Sequence, residues 1–354
     1  MSEQIGKPYD AILDINSRLP YLVDEKGERI LNLMDAPFFN YIVDHPLYHH
    51  PGLVFPIRRY HAIGIDRQHC AYMKKYYPNL SGVELLPLGG SKALAHIPFR
   101  ERKDEILFMG TYIMDDKLEH RIMGLRNQLN NATYQLALDV YDLWDDEKEG
   151  MEDCVLGLLK RYAESDRESD VEEYIADVYE MSGFPELLNA MFLVDQKRRN
   201  ANRLEILSRI AETGSPMRVV GEGWRETPLS RYPNVEILDG CTMERSLEIM
   251  AMHKFLLDIN PAFQCAMHDR VSSAFANGCV TISNMSRSFD EDIVKNKALL
   301  FYKKRGAAGI PEMLSQMNME EMEDMGERAY KIWEDKYSFS ALFLKLREIM
   351  EKRK

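Results

Sequence analysis

No two of the five cysteines (Cys70, Cys154, Cys241, Cys265 and Cys279) form a C-x-x-C pair, and their number is odd. That argues against a disulfide frame or a cysteine zinc site and fits reduced thiols in a cytoplasm. Positive charge is also scarce: Lys and Arg number 45 against 57 Asp and Glu, for a formal net charge of −12. Nucleic-acid binders present a basic surface, so no nucleic acid partner is expected, although one small basic pocket for a nucleotide fits the balance. No apolar run approaches the roughly 20 residues that cross a bilayer, so no membrane span is expected. Met1–Asp10 has no signal-peptide core. No G-x-G-x-x-G turn with a downstream acid is present, which sets aside an NAD-dependent oxidoreductase. His45, His49 and His50 invite a zinc reading, but adjacent histidines point in different directions and no H-E-x-x-H spacing occurs.

What is present is a chain long enough for two domains: 354 residues, 45% hydrophobic and 29% charged, an ordinary globular composition. Tyr9–Asn16, Arg29–Met34, His61–Ile65 and Gly82–Leu86 read as short strands, with a helix over Arg67–Tyr77. Strands alternating with connections of this kind predict a parallel α/β architecture. Asp35, Asp44, His45, Asp66, Arg67 and His69 stand at strand ends, the edge where ligands lie in open α/β sheets. Capping of turns and helices is the other role open to Asp35 and Asp66.

Ile106–Met109 opens a second set of strands and ends at Gly110-Thr111, where a glycine lets backbone approach a phosphate. From Asp115 to about Asn200 the pattern becomes helical, with apolar residues at i, i+3, i+4 and i+7, as in HRIMGLRNQLNNATYQLALDVYDLW and CVLGLLKRYAE. Its acidic run, Asp145 to Asp153, reads as a solvated face rather than a metal site. Strands resume at Met217–Val220, Val235–Leu238, Phe255–Ile259, Cys279–Ile282 and Ala298–Tyr302. Helices are predicted over Thr242–Met252, Val271–Ala276, Asp290–Lys295 (begun at Ser288-Phe289), Pro311–Met317 and Met319–Lys336, and the last residues close as an amphipathic helix.

The chain is organised around FLLDINPAFQCAMHDRVSSAFANGCVTISN, Phe255 to Asn284, which reads as strand, loop, helix and strand. Asn260-Pro261 ends the first strand, and Asn277-Gly278 ends the helix with a residue that accepts the left-handed conformation. Such a unit aims the N–H groups and positive dipole of its helix at the carboxyl edge of a sheet. Val271-Ser272-Ser273-Ala274 leaves those amides unobstructed, and Arg270 can fork onto phosphate oxygens. His268–Ala274 is therefore the predicted anion site; a surface salt bridge is the other role open to Arg270.

HDRVSSAFANGCVTISN, ILFMGTYI (Ile106–Ile113), RVVGEGW (Arg218–Trp224), VDHPLYHH and IDRQHC together resemble the GT-B glycosyltransferases, especially the bacterial branch related to the spore-maturation protein CgeB. The resemblance implies two Rossmann-like domains facing a cleft, with the helical insertion in the second. Residues 1–95 would be a shortened N-terminal, acceptor-side domain, and 96–336 the nucleotide-sugar-binding domain, with the insertion at 115–200. Residues 337–354 would form a helix crossing back to the first domain. It implies transfer of a sugar from a nucleoside-diphosphate sugar to a glycan or protein acceptor, with no cofactor and no bound metal. Donor contacts fall on Gly110, Thr111, Gly221, Trp224, His268, Asp269, Arg270, Val271, Ser272 and Ser273; burial in the core is the other place for Trp224. An acceptor base would come from Asp44, His45, Asp66 or His69. Two departures stand out: the first domain is short, and Ser273 holds the place of a ribose-binding Glu. They leave open a non-catalytic nucleotide-sugar-binding or scaffolding subunit, and a homodimer or a partner glycosyltransferase subunit fits either role.

Overall fold

The computed structural model describes residues 4–353 apart from 115, 118, 119, 122, 123, 125, 126, 167–169, 261–264 and 285–290. Pro261, the Ser288–Asp290 helix start and part of the 115–126 stretch lie outside the described residues. Four strands, β1 (Ile12–Ile15), β2 (Phe38–Ile42), β3 (Tyr60–Gly64) and β4 (Gly82–Leu85), form a parallel sheet in the order β1-β2-β3-β4. The alternation of side chains along a strand divides the sheet cleanly. Phe38, Ile42, Tyr60, Ala62 and Val83 go to one core, while Phe39, Ile63 and Leu86 go to another.

Arg29–Met34 is not a strand. Ile30–Leu33 forms a 3-10 helix that buries Ile30 and Leu31 side by side, and the neighbouring strand is instead the aromatic run FFNYI. Adjacent apolar residues on one face suit a tight helical turn and not a strand, whose neighbours point oppositely.

A second parallel sheet holds β5 (Lys103–Met109), β6 (Met217–Val220), β7 (Val235–Leu238), β8 (His253–Asp258), β9 (Val280–Asn284) and β10 (Leu300–Tyr302), in the order β10-β9-β8-β5-β6-β7. Every residue of β8 is buried, as a central strand covered on both faces must be. The helical insertion interrupts this sheet between β5 and β6. Helix α1 (Arg67–Tyr76) belongs to the first sheet, and the insertion carries α2 (Asn131–Leu143), α3 (Met151–Asp166), α4 (Phe184–Ala190) and α5 (Phe192–Ala211). In space the insertion covers the first sheet. Val140, Trp144, Val155, Leu158, Phe184 and Leu187 share one core with Phe38, Ile42 and Tyr60.

The remaining helices used below are α6 (Met243–Ala251), α7 (Asp269–Ala276), α8 (Met319–Ile332) and α9 (Phe339–Glu351). α9 lies on the other face of the first sheet, where Leu342 packs with Phe39, Ile63 and Leu86. Between the sheets, residues 87–93 run against α7. Ser272 Oγ donates to the Leu88 carbonyl at 3.0 Å, and Asn277 Oδ1 accepts from Ala93 N at 2.9 Å. A Cβ on Gly90 would lie 2.2 Å from the Ser272 carbonyl carbon, so only glycine passes there. α7 ends as its sequence predicts: Gly278 sits at φ +62°, Gly278 N donates to Phe275 O and Cys279 N to Ala274 O, both at 3.0 Å.

Candidate functional site

A cavity of about 270 Å³ opens at the carboxyl edge of β5, β6 and β7, over the N-terminus of α7. Gly110, Thr111, Gly221, His268, Asp269, Arg270 and Ser273 line it, and Gly240, Cys241, Met243 and Ser246 close its far side. Residues more than 150 positions apart meet because parallel strands end at one edge. The loops after β5 and β6 cross in backbone contact. Gly221 N–H donates to the Leu238 carbonyl, and Tyr112 N–H donates to the Glu222 carbonyl. A Cβ on Gly221 would lie 2.2 Å from Gly110 O, and Gly223, at φ +81°, would set one 2.1 Å from Tyr112 O. The glycines of RVVGEGW therefore serve this crossing.

Trp224 is fully buried. Its Nε1 donates to Gly110 O at 2.6 Å, and its ring packs on Tyr112 and edge-on to Phe108. It fixes the Gly110 carbonyl and presents no face on which a base could stack. Val271 and Ser272 are likewise buried behind the cavity, Ser272 holding the 87–93 segment. Ser273 lines the cavity, and its Oγ accepts from Ser91 N at 3.2 Å.

His268 caps α7, accepting from Arg270 N at 3.2 Å, and its Nδ1 lies 2.6 Å from Asp269 Oδ1. Burial would raise the Asp269 carboxyl, but the His268 contact and the charges of His268 and Arg270 outweigh it and hold it at about 2. The Arg270 guanidinium pairs with buried Asp258 at 3.0 Å and lies over Phe108. Its other terminal nitrogen faces Gly110, where a Cβ would come within 3.3 Å.

A second cation, from α5, lies beside this cavity and outside its lining. Arg203 donates to Thr111 O at 2.5 Å and has no carboxylate within ion-pair distance among the described residues. Burial and the charges of Arg270 and Arg199 push its guanidinium down to about 9, still charged at neutral pH. Arg199, one turn earlier, pairs with Asp195 at 2.7 Å, and Asp195 also accepts from the Tyr48 hydroxyl. Arg199 is the link to the first domain, since its charge also acts on Asp44.

The four first-domain candidates separate. Asp44 keeps a half-exposed carboxylate, accepts from Asn16 Nδ2 at 2.9 Å and lies 3.8 Å from His49 Nε2. The His49 contact, opposed by burial and aided by the charges of His49 and Arg199, lowers its pKa. His45 is buried: Nδ1 accepts from Leu47 N, and Nε2 lies 3.4 Å from Glu152 of α3, so it ties the insertion to the first domain. Asp66 is fully buried and capped by amides, with Gln68 N and His69 N on one oxygen and Cys265 N on the other at 2.7 Å. Its role is structural, joining α1 to the second domain. His69 is buried against the His45 ring, and burial first, then the His45 and Arg199 charges, holds it neutral.

Arg199 and Arg203 were not marked by the sequence as site residues. The signal available was the run QKRRNANR, which puts arginines at i and i+4 on one helix face. Among the described residues no three His, Cys, Asp or Glu side chains come together to hold a metal ion. No described helix is long and apolar enough to cross a membrane.

No protein-family model matches the chain, and no curated protein matches it by sequence. Solved structures match it by fold. Sucrose-phosphate synthase from Thermosynechococcus elongatus superposes with a TM-score of 0.57 at 9% identity, over 99% of this chain and 75% of that one. TarM superposes with a TM-score of 0.51 at 10% identity, over 96% of this chain and 54% of that one. At such identities the likeness carries the fold, and that fold is the GT-B arrangement: two Rossmann-like domains facing a cleft, here with a helical insertion in the second.

Proposed function

We propose that this chain transfers a sugar from a nucleoside-diphosphate sugar to an acceptor hydroxyl, with no bound metal. The observation that carries the reading is that Arg270 and the α7 N-terminus line one cavity at the sheet edge, with Arg203 beside it on the Thr111 carbonyl. The diphosphate gains one negative charge as the glycosidic bond breaks, and preorganised cations and N–H groups stabilise that charge without a metal. Asp44, ionised at neutral pH, takes the acceptor proton in an inverting course. Motif resemblance to the CgeB-related branch supports the donor side of this reading. The experiment is incubation of the chain with UDP-, GDP- and ADP-sugars in the presence of EDTA, reading release of nucleoside diphosphate. Turnover that Asp44→Asn suppresses supports the transferase. Ligand-induced stabilisation without turnover would make the chain a nucleotide-sugar-binding subunit.

A further inference from the structure

A second cavity, of about 280 Å³, lies on the first-domain side of the cleft, between the ends of β3 and β4, the 265–267 loop and α9. Its floor is apolar, with Ile65, Leu85 and Met267, and Leu85 is 42% exposed. Its charged lining is entirely cationic: Arg67, Lys336 and Lys345. In a chain of net charge −12, three cations line this one small cavity, one of them, Lys336, paired with Asp292. Two nearby carboxylates are already engaged. Asp66, between Ile65 and Arg67, is fully buried under the amides of Gln68, His69 and Cys265, and Asp292 pairs with Lys336. Lys345 makes no ion pair among the described residues. The floor also touches the acceptor edge: Ile65 and Ala266 pack with Val43, the residue before Asp44.

We propose that this cavity is an acceptor subsite for an anionic amphiphile. Lys345, beside Arg67, holds a phosphate or carboxylate head, and the apolar body lies on Ile65, Leu85 and Met267. Confined apolar area and a charged head reward each other there, because the walls that take the body also shield the head from screening. The proposal rests on the transferase reading for the word acceptor, but its anion chemistry is tested independently. Titration calorimetry compares n-octyl phosphate, octanoate and neutral n-octyl β-glucoside, with UDP, GDP and ADP titrated alongside. The anionic probes are expected to bind at least tenfold more tightly than the glucoside. Lys345→Glu, on an exposed helix position, is expected to erase that preference and leave nucleoside diphosphate binding unchanged; Lys345→Met is expected to reduce it. Equal binding of the glucoside, no binding of octyl phosphate, or indifference to Lys345→Glu would overturn the proposal. If wild type binds no nucleoside diphosphate while the octyl series behaves as expected, the donor reading fails and the anionic site stands.

Discussion

A guanidinium that feels the charge of two others and bonds only a backbone carbonyl costs free energy until an anion arrives. That is the position of Arg203, and it gives a two-sided prediction. Arg203→Met keeps the stem's packing and removes the charge. It should raise the melting temperature of the ligand-free protein and weaken nucleoside diphosphate binding by about 10–150-fold, from roughly 1.5–3 kcal/mol for a charge-assisted contact. Thermal melts with and without nucleotide check both halves. Asp44 and His45 differ in kind despite adjacency. Asp44→Asn should lower kcat by about 10²–10⁴-fold and leave donor affinity intact, whereas His45→Ala, which removes the Glu152 contact, should act on stability. Steady-state kinetics beside melts separates them. Asp269 adds a pH signature. Its carboxyl is held at about 2, below the ordinary unfolded value of about 3.9, so it stabilises the fold above pH 4 and loses that contribution as pH falls through 2. His268→Ala removes the main cause of that depression and should flatten stability against pH across this window, read by acid titration followed by circular dichroism.

Among the elements, the strand–helix–strand unit around α7 was legible in sequence, because Asn277-Gly278 and the apolar runs on either side are local signals. The partner of the insertion was not. Its amphipathic period shows that α3 has a buried face, but a period carries no information about what that face meets. Here it meets the first sheet. Leu158→Ala should therefore cost about 2–5 kcal/mol. Hydrogen exchange should quicken in β2 and β3, far away in sequence, more than in β8 and β9, which belong to separate cores. Faster exchange confined to α3 would contradict a shared core. The glycines of the loop after β6 show the same limit at smaller scale: Gly221 and Gly223 announce a tight backbone, and only the fold shows that the close neighbour is the 110–112 loop.

For the whole molecule, the insertion gives the first sheet its missing layer and delivers Arg199 and Arg203 to the edge where the second sheet opens. The proposed site would thus draw on both sheets and the helix between β5 and β6, with its residues scattered from Asp44 to Ser273. The central proposal is that a diphosphate rests on the α7 N-terminus against Arg270, with Arg203 close by. Arg270→Ala is a poor probe, because it leaves Asp258 buried without its cation. Arg270→Lys preserves that pair and removes only the two-pronged fork. The direct measurement is calorimetric titration of UDP, GDP and ADP into wild type and Arg270→Lys. The account predicts that whichever nucleotide binds does so about tenfold more weakly to the variant, at an unchanged melting temperature; equal affinities would place the phosphate site elsewhere.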